Sequence, residues 1–294
     1  VIEIGLCGWG DHFELYRGAG SARNKLPAYA QWFRVVEVDS TFYAIQSAQT
    51  MAKWASDTPD NFRFVIKAYQ GMTGHTRGKG AHPFENEDTM FQAFLDAIAP
   101  IREAGKLMAV LFQYPPWFNC TRVNVDALRT AKARMGDVPC ALEFRHQSWY
   151  TPEMREKTIA FTQREGWYHT VCDEPQAGDG SIPIVEASTS EELTLVRLHG
   201  RNTGGWVSGG QPNWRDVRYL YRYNDAELSE WAERLHRLAT KQSRTVCVLF
   251  NNNSGGDAAD NALQLMAMLH QLPPRGSFEL PPPGDADAEQ LELF

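Results

Sequence analysis

The sequence predicts an α/β fold: a single-domain (β/α)8 TIM barrel over residues 1–272, followed by a flexible, disordered tail over residues 273–294. Three observations predict it. Eight short apolar, β-branched segments alternate with amphipathic helical patterns, the signature of repeated parallel βα units. Charged and polar residues recur where those segments end, and barrels of this class carry their chemistry at the C-terminal ends of their strands. From Pro273 the chain turns rich in Pro, Gly and acids, a composition that cannot bury enough apolar surface to fold.

Taken in order, strands are expected at Ile2–Cys7, Val35–Val38, Phe62–Lys67, Leu107–Phe112, Pro139–Phe144, Trp167–Val171, Leu193–Leu198 and Val246–Phe250. Helical periodicity is clearest at Thr89–Ile98, Val125–Arg134, Pro152–Arg164, Ala226–Ala239 and Asp257–Leu269, with Gly136, Thr151 and Asp225 as cap or stop signals. The sixth helix is weak, its place taken by the loop Asp173–Ser190. No internal repeat precedes residue 271.

Composition narrows the class. With 294 residues and 43% hydrophobic content the chain can bury a large core. The start, VIEIGLCGWG, has no basic segment ahead of an apolar run, and nothing approaches ~18 consecutive apolar residues. A cytoplasmic protein with no membrane partner is expected. Five scattered cysteines without a CxxC indicate neither a disulfide framework nor a structural zinc. The net charge is −7, but Glu279, Asp285, Asp287, Glu289 and Glu292 lie in the tail without a Lys or Arg beside them. The barrel body is therefore close to neutral, and local charge patterns decide what it binds.

The stretch VVEVDSTFY, Val35–Tyr43, carries the strongest local signal. Side chains alternate along a strand, so Val35, Glu37 and Asp39 share one face. Burying two carboxylates is unfavourable unless they are paired or used. Similar residues end the other strands: Lys67, Gln113, Glu143 with Arg145, and Arg197 with His199, each pair spaced by two and pointing the same way. The expected catalytic set is Glu37, Lys67, Glu143, Arg145, Arg197 and His199. In it Glu37 and Glu143 handle protons or hold a weakly bound metal, while the cations stabilise negative charge. The expected substrate-binding set is Trp9, Asp39, Tyr43, His75, Gln113, Asp173, Arg201, Asn251 and Asn252. Each residue also has a structural reading: Glu143 and Arg145 neutralise each other or Glu37, His199 is a satisfied core histidine, and the tryptophans are packing.

These segments resemble a known family. Gly5–Trp9, Glu37–Tyr43, Phe62–Lys67, Leu111–Pro116, Glu143–His146 with Trp149, Arg197–Arg201 and Phe250–Asn252 look like the successive signatures of the YecE-like domain-of-unknown-function family, over residues 2–270. The resemblance implies a TIM barrel, similar in fold to endonuclease IV, and implies no particular reaction. Endonuclease IV-like enzymes hold several metal ions, whereas here the cations Lys67, Arg145 and Arg197 are interspersed with the acids. That pattern weighs against a divalent-metal cluster and for an anionic ligand. The cofactor is left unassigned, with a divalent metal the lesser expectation. No HExxH, Walker-A loop, GxSxG or GxGxxG is present.

Three loops and the tail bear on the ligand. Asn251–Asp257 is Gly-rich and runs into a helix, a start that can hold phosphate. The loop after strand seven interleaves Arg201, Trp206, Trp214, Arg215, Arg218, Tyr219, Tyr221, Arg222 and Tyr223, which suits a nucleic-acid backbone with stackable bases or an aromatic lid. His75, Arg77 and Lys79 add to the same rim. The tail ends in Gln290-Leu291-Glu292-Leu293-Phe294, similar to the bacterial sliding-clamp-binding motif, with Gln290, Leu291, Leu293 and Phe294 as partner-binding residues. The leading expectation is a phosphodiesterase or lyase acting on nucleic acid in DNA repair and recruited to a clamp. The alternatives are a hydrolase or lyase for a small anionic metabolite or sugar, and a non-catalytic clamp-associated binding module.

Overall fold

The computed structural model describes residues 1–16, 25–76, 82–207, 217–241 and 243–276. Eight strands, β1 (Ile2–Cys7), β2 (Val35–Val38), β3 (Arg63–Lys67), β4 (Leu107–Gln113), β5 (Cys140–Glu143), β6 (Tyr168–Asp173), β7 (Leu193–Leu198) and β8 (Thr245–Phe250), pair in sequence order. Every pairing is parallel, and β8 returns to β1 to close the barrel. Helices α1 (Lys25–Tyr29), α2 (Ser40–Tyr43), α3 (Ala48–Ser56), α4 (Glu87–Glu103), α5 (Arg122–Met135), α6 (Arg155–Arg164), α7 (Thr203–Val207) and α8 (Asp225–Lys241) lie between the described strands, and α9 (Asp257–Met268) follows β8. Between β6 and β7 the described chain forms only a short 3-10 turn at Gly178–Gly180, so the weak sixth helix is a loop as expected.

Alternation along each strand builds two apolar layers. Val35, Val65, Ala109, Ala141, Leu195 and Cys247 fill the lumen, while larger side chains such as Trp149, Trp167 and Trp231 pack between sheet and helices. One residue lets β1 and β2 close up: a Cβ at Gly5 would stand 2.1 Å from the carbonyl oxygen of Val35. Any larger residue there would push the strands apart just below Cys7 and Glu37.

Local signals set the helix ends. Asn86 and Thr89 form a reciprocal capping box on α4, and Gly136, at φ 59°, stops α5. The start of α8 differs from expectation. Asn224 rather than Asp225 is the cap: its side chain accepts from the Glu227 amide at 3.0 Å, and Glu227 accepts from the Asn224 amide at 2.9 Å. Within the expected tail, Arg275 donates its amide to the Gln31 carbonyl at 2.9 Å and lies over the Trp32 ring at 4.2 Å. Residues 277–294, including Gln290, Leu291, Leu293 and Phe294, lie outside the described residues. No helix among the described residues is long and apolar enough to cross a membrane.

Candidate active site

The lumen changes character one step above its apolar layer. Alternation continues Val35 to Glu37, Ala141 to Glu143 and Arg145, and Leu195 to Arg197 and His199, so these side chains point inward at the C-terminal end of the barrel. Arg197 grips both oxygens of Glu37 at 2.6 and 2.8 Å and reaches Glu143 at 2.7 Å. Arg145 takes the other oxygen of Glu143 at 2.6 Å and Glu174 at 2.8 Å. Gln113 accepts from both arginines, at 3.2 Å from Arg197 and 3.4 Å from Arg145. These ions are essentially removed from water, so each guanidinium is held by several charge-assisted bonds.

This crowding sets the protonation states. Burial opposes ionisation of Glu143, but Arg197 and Arg145 hold its carboxyl well below the usual range. Burial, then the charges of Arg145 and Arg197, push His199 well below its ordinary value, so the imidazole is neutral. Its Nε2 lies 3.1 Å from Nη2 of Arg145, which can only donate. On the other side of the ring the Asn251 amide nitrogen meets Nδ1 at 2.9 Å. His199 is thus a strut under Arg145 rather than a free base.

Above this layer opens a cavity of about 960 Å³. Lys67, Asp39, Gln113, Arg145 and Asn251 form its floor, His75 and Phe42 one wall, and Phe13, Tyr43 and Trp117 its rim. Lys67 Nζ lies 3.4 Å from Asp39 and 4.9 Å from the centre of the Phe42 ring. Although burial opposes it, Asp39 keeps Lys67 protonated above its ordinary value, and Lys67 and Arg197 in turn hold Asp39 below its own. Burial, with the adjacent Asp39 charge, raises Glu37 to about 7 in spite of Arg197. Two neighbouring carboxyls driven in opposite directions are a usual basis for assigning acid and base roles.

The family model described as "Protein of unknown function DUF72" matches residues 3–283. The chain belongs to the DUF72 family. It is 53% identical over 270 residues to UPF0759 protein YunF of Bacillus subtilis, covering 92% of this chain and 95% of that one. It is 24% identical to UPF0759 protein YecE of Escherichia coli K12 over 159 residues, or 54% of each chain. Among solved structures, a DUF72 family protein of Enterococcus faecalis V583 (EF0366) superimposes with a TM-score of 0.86 at 35% identity, over 96% of this chain and 99% of that one. One from Thermotoga maritima MSB8 (TM1631) gives 0.76 at 28%, over 92% and 100%.

Within this DUF72 barrel the expected residues separate by depth. Lys67, Arg145, Asp39, Tyr43, His75, Gln113 and Asn251 line the cavity, whereas Glu37, Glu143, Arg197 and His199 lie outside its lining in the buried layer. Four others go elsewhere. Asp173 is the last residue of β6 and faces outward, accepting from Trp231 Nε1 at 2.8 Å and from Arg201 at 2.9 and 3.1 Å. Arg201 is thereby turned from the mouth as well. Asn252 is buried, donating to Asn261 at 2.9 Å and to the Tyr221 carbonyl at 2.8 Å. Trp9 packs edge-on against Trp54 at 5.1 Å, as the packing reading expects.

Sequence reasoning missed Glu174, which follows Asp173 and takes the inward place. β6 runs two residues beyond its expected end, and counting the alternation through to 174 would have found it. Arg218 and Tyr219, from the expected basic-aromatic loop, do line the cavity, with the Arg218 guanidinium 3.9 Å over Trp206. Arg222 instead pairs with Asp257 at 2.7 Å. Arg77, Lys79, Trp214 and Arg215 lie outside the described residues. At the start of α9 an anion is already supplied by the chain: Glu14 approaches to 3.5 Å of where a Cβ on Gly256 would stand. Glu14, Gly255 and Gly256 line the same cavity as Lys67 and Arg145, so a phosphate at the helix start would meet a carboxylate while one at the floor would meet the two cations.

Two groups of potential metal ligands occur among the described residues, Glu143–Cys172–His199 and Cys7–Glu37–Asp39. Both are threaded by guanidinium groups bonded to Glu143 and Glu37. Burial also holds the Cys7 and Cys172 thiols protonated, far above their ordinary range. A divalent cation would have to displace an arginine and a thiol proton together, so these donor sets fit one poorly.

Glu174 provides a pH test of the buried layer. Burial raises its carboxyl to about 7, against the pull of Arg145. A folded-state value above the unfolded one means stability that is complete below about pH 4 and lost as pH rises through about 7. Between pH 5 and pH 8 the wild type is expected to lose ~1–3 kcal/mol that Glu174→Gln does not lose. Urea unfolding at the two pH values checks this; identical losses in both proteins would contradict it.

Proposed function

We propose that the barrel mouth is the active site of a hydrolase or lyase that cleaves a small anionic substrate of the phosphate class by acid–base catalysis. The observation that carries this reading is the cavity floor, where the charged Lys67 and Arg145 meet the ionised Asp39 with Glu37 behind it. Lys67 and Arg145 bind the substrate anion and stabilise the charge that develops on cleavage. Asp39 exchanges a proton with the substrate, and Glu37, poised near neutral pH, restores it. The buried arginine–carboxylate layer fixes Arg145 so that its guanidinium need not reorganise.

Turnover of bis(p-nitrophenyl) phosphate, sugar phosphates and single-stranded oligonucleotides tests the reading. Asp39→Asn is expected to lower any turnover found by ~10²–10⁴, the usual range for a positioned acid or base, with the fold intact. Undiminished turnover in that variant would remove the proton role. Binding without cleavage of any substrate would favour a binding module.

A second reading makes the substrate a nucleic-acid strand and the tail a recruitment device to a bacterial sliding clamp. Supporting it are the exposed rings of Phe13, Tyr43 and Trp117 around a cationic floor, which suit stacked bases, and the terminal Gln-Leu-Glu-Leu-Phe. Two buried apolar side chains contribute ~2 kcal/mol each, less the cost of ordering the tail, which by themselves set an affinity no tighter than about millimolar. Deleting residues 290–294 is expected to abolish binding to the host clamp while leaving the unfolding midpoint unchanged. Equal binding by both forms, or by neither, would remove the link to replication.

A further inference from the structure

A second cavity, of about 400 Å³, lies beside the mouth, and the two share one wall residue, Trp117. The loop after β3 separates them lower down: Thr73 lines the side cavity, His75 lines the mouth, and the Thr73 hydroxyl meets His75 Nδ1 at 2.8 Å. Burial, then the charges of Lys67 and Arg145, lower His75 to about 4, so this partition is uncharged at neutral pH. Trp117 is 48% exposed although its ring belongs to the walls of both cavities.

The side cavity differs chemically from the mouth. Met72, Phe91, Tyr114 and Phe118 line it alongside the polar Thr73, Asn124 and Thr130, with Phe118 stacked on Tyr114 at 4.1 Å and the Arg134 guanidinium 5.3 Å over the Phe91 ring. Its charged lining residues are Glu87 and Arg134, and these neutralise each other at 2.6 Å. Asp88 holds Arg134 on its other edge at 2.7 Å. An anion placed there would have to break that pair, whereas an uncharged ring would meet Trp117 and the aromatic residues of the lining. The mouth offers the complement, a cationic floor for the anion.

We infer that the side cavity is a second subsite of the mouth: the substrate carries a planar apolar ring joined to its anionic group, and the ring passes Trp117 to lodge against Phe91 and Phe118. This rests on the anion-binding reading of the mouth and adds the class of molecule, a ring-bearing phosphate or similar anion rather than a bare sugar phosphate. Trp117 then selects for the ring, because its face forms the passage between the subsites. Ala127, exposed on α5, lines only the side cavity of the two. A larger residue there fills the subsite from outside, without entering the packed layers.

Calorimetric titration with two non-cleavable probes, methylphosphonate and (1-naphthylmethyl)phosphonate, tests the inference on the full-length protein. Wild type is expected to bind the naphthyl probe at least tenfold more tightly than the methyl probe. Ala127→Trp should abolish that gain and leave methylphosphonate affinity unchanged, with an unaltered unfolding midpoint; Trp117→Ala should reduce the gain several-fold. Equal affinity of wild type for the two probes, or an undiminished gain in Ala127→Trp, would overturn the ring subsite and leave the anion site standing. Binding of neither probe would overturn the anion site and the ring subsite together.

Discussion

Arg197→Met is expected to destabilise the fold by about 3–5 kcal/mol, the usual effect of removing one member of a buried ion pair. Methionine fills much of the same space, so the loss comes from charge rather than volume. Glu37 would lose both of its guanidinium bonds and Glu143 one of its two, in a layer that water does not reach. Glu37 can escape in part by taking a proton, since burial already raises it to about 7. Glu143 cannot do so readily, because Arg145 still holds it ionised. The penalty should therefore grow as pH rises from 6 to 8, as Glu37 is forced to ionise without a partner. Urea unfolding reads both effects. A variant as stable as wild type but without turnover would return Arg197 to the catalytic role that its position in the sequence suggested.

Lys67→Met should behave in the opposite way. Its ammonium lies at the cavity floor, and its ion-pair partner among the described residues, Asp39, stays in contact with solvent when it is removed. Stability is expected to stay within about 1 kcal/mol of wild type, as for a partly exposed pair. Anion binding and turnover are expected to fall ~10²–10³-fold, the range for losing one preorganised group that stabilises developing charge. Two variants of inward-pointing cations would thus separate cleanly, one losing the fold and the other the function.

That separation marks what could be read from the sequence. Alternation told which residues face the lumen: β1, β2 and β7 have their expected bounds, and the spacing of two placed Glu143 with Arg145 and Arg197 with His199 on the inner face. It did not tell depth. Arg145 and Arg197 share a face and a residue type, but Arg197 lies within the strand and Arg145 two residues past the end of β5, so only Arg145 reaches the cavity. Depth depends on stagger between strands, which is set by long-range pairing such as the close contact of Gly5 with Val35.

Phase is the other quantity that pattern reading lost. The apolar run of β6 stops at Cys172, and two further residues continue the alternation as acids, so Glu174 rather than the expected Asp173 takes the inward place. The Gly-rich start of α9 has a similar lesson. Its local sequence suits a phosphate, but Glu14, more than two hundred residues earlier, comes to it through barrel closure. Neither contact leaves a periodic trace in the sequence.

The thermal unfolding midpoint measured against increasing inorganic phosphate tests the anion site most directly, because a ligand at free concentration L that binds only the folded state stabilises it by RT ln(1 + L/Kd) and so raises the midpoint as its concentration grows. Wild type is expected to rise with phosphate concentration at constant ionic strength, and Lys67→Met to stay flat. An equal rise in both proteins, or no rise in wild type, would contradict an anion site built on Lys67 and Arg145.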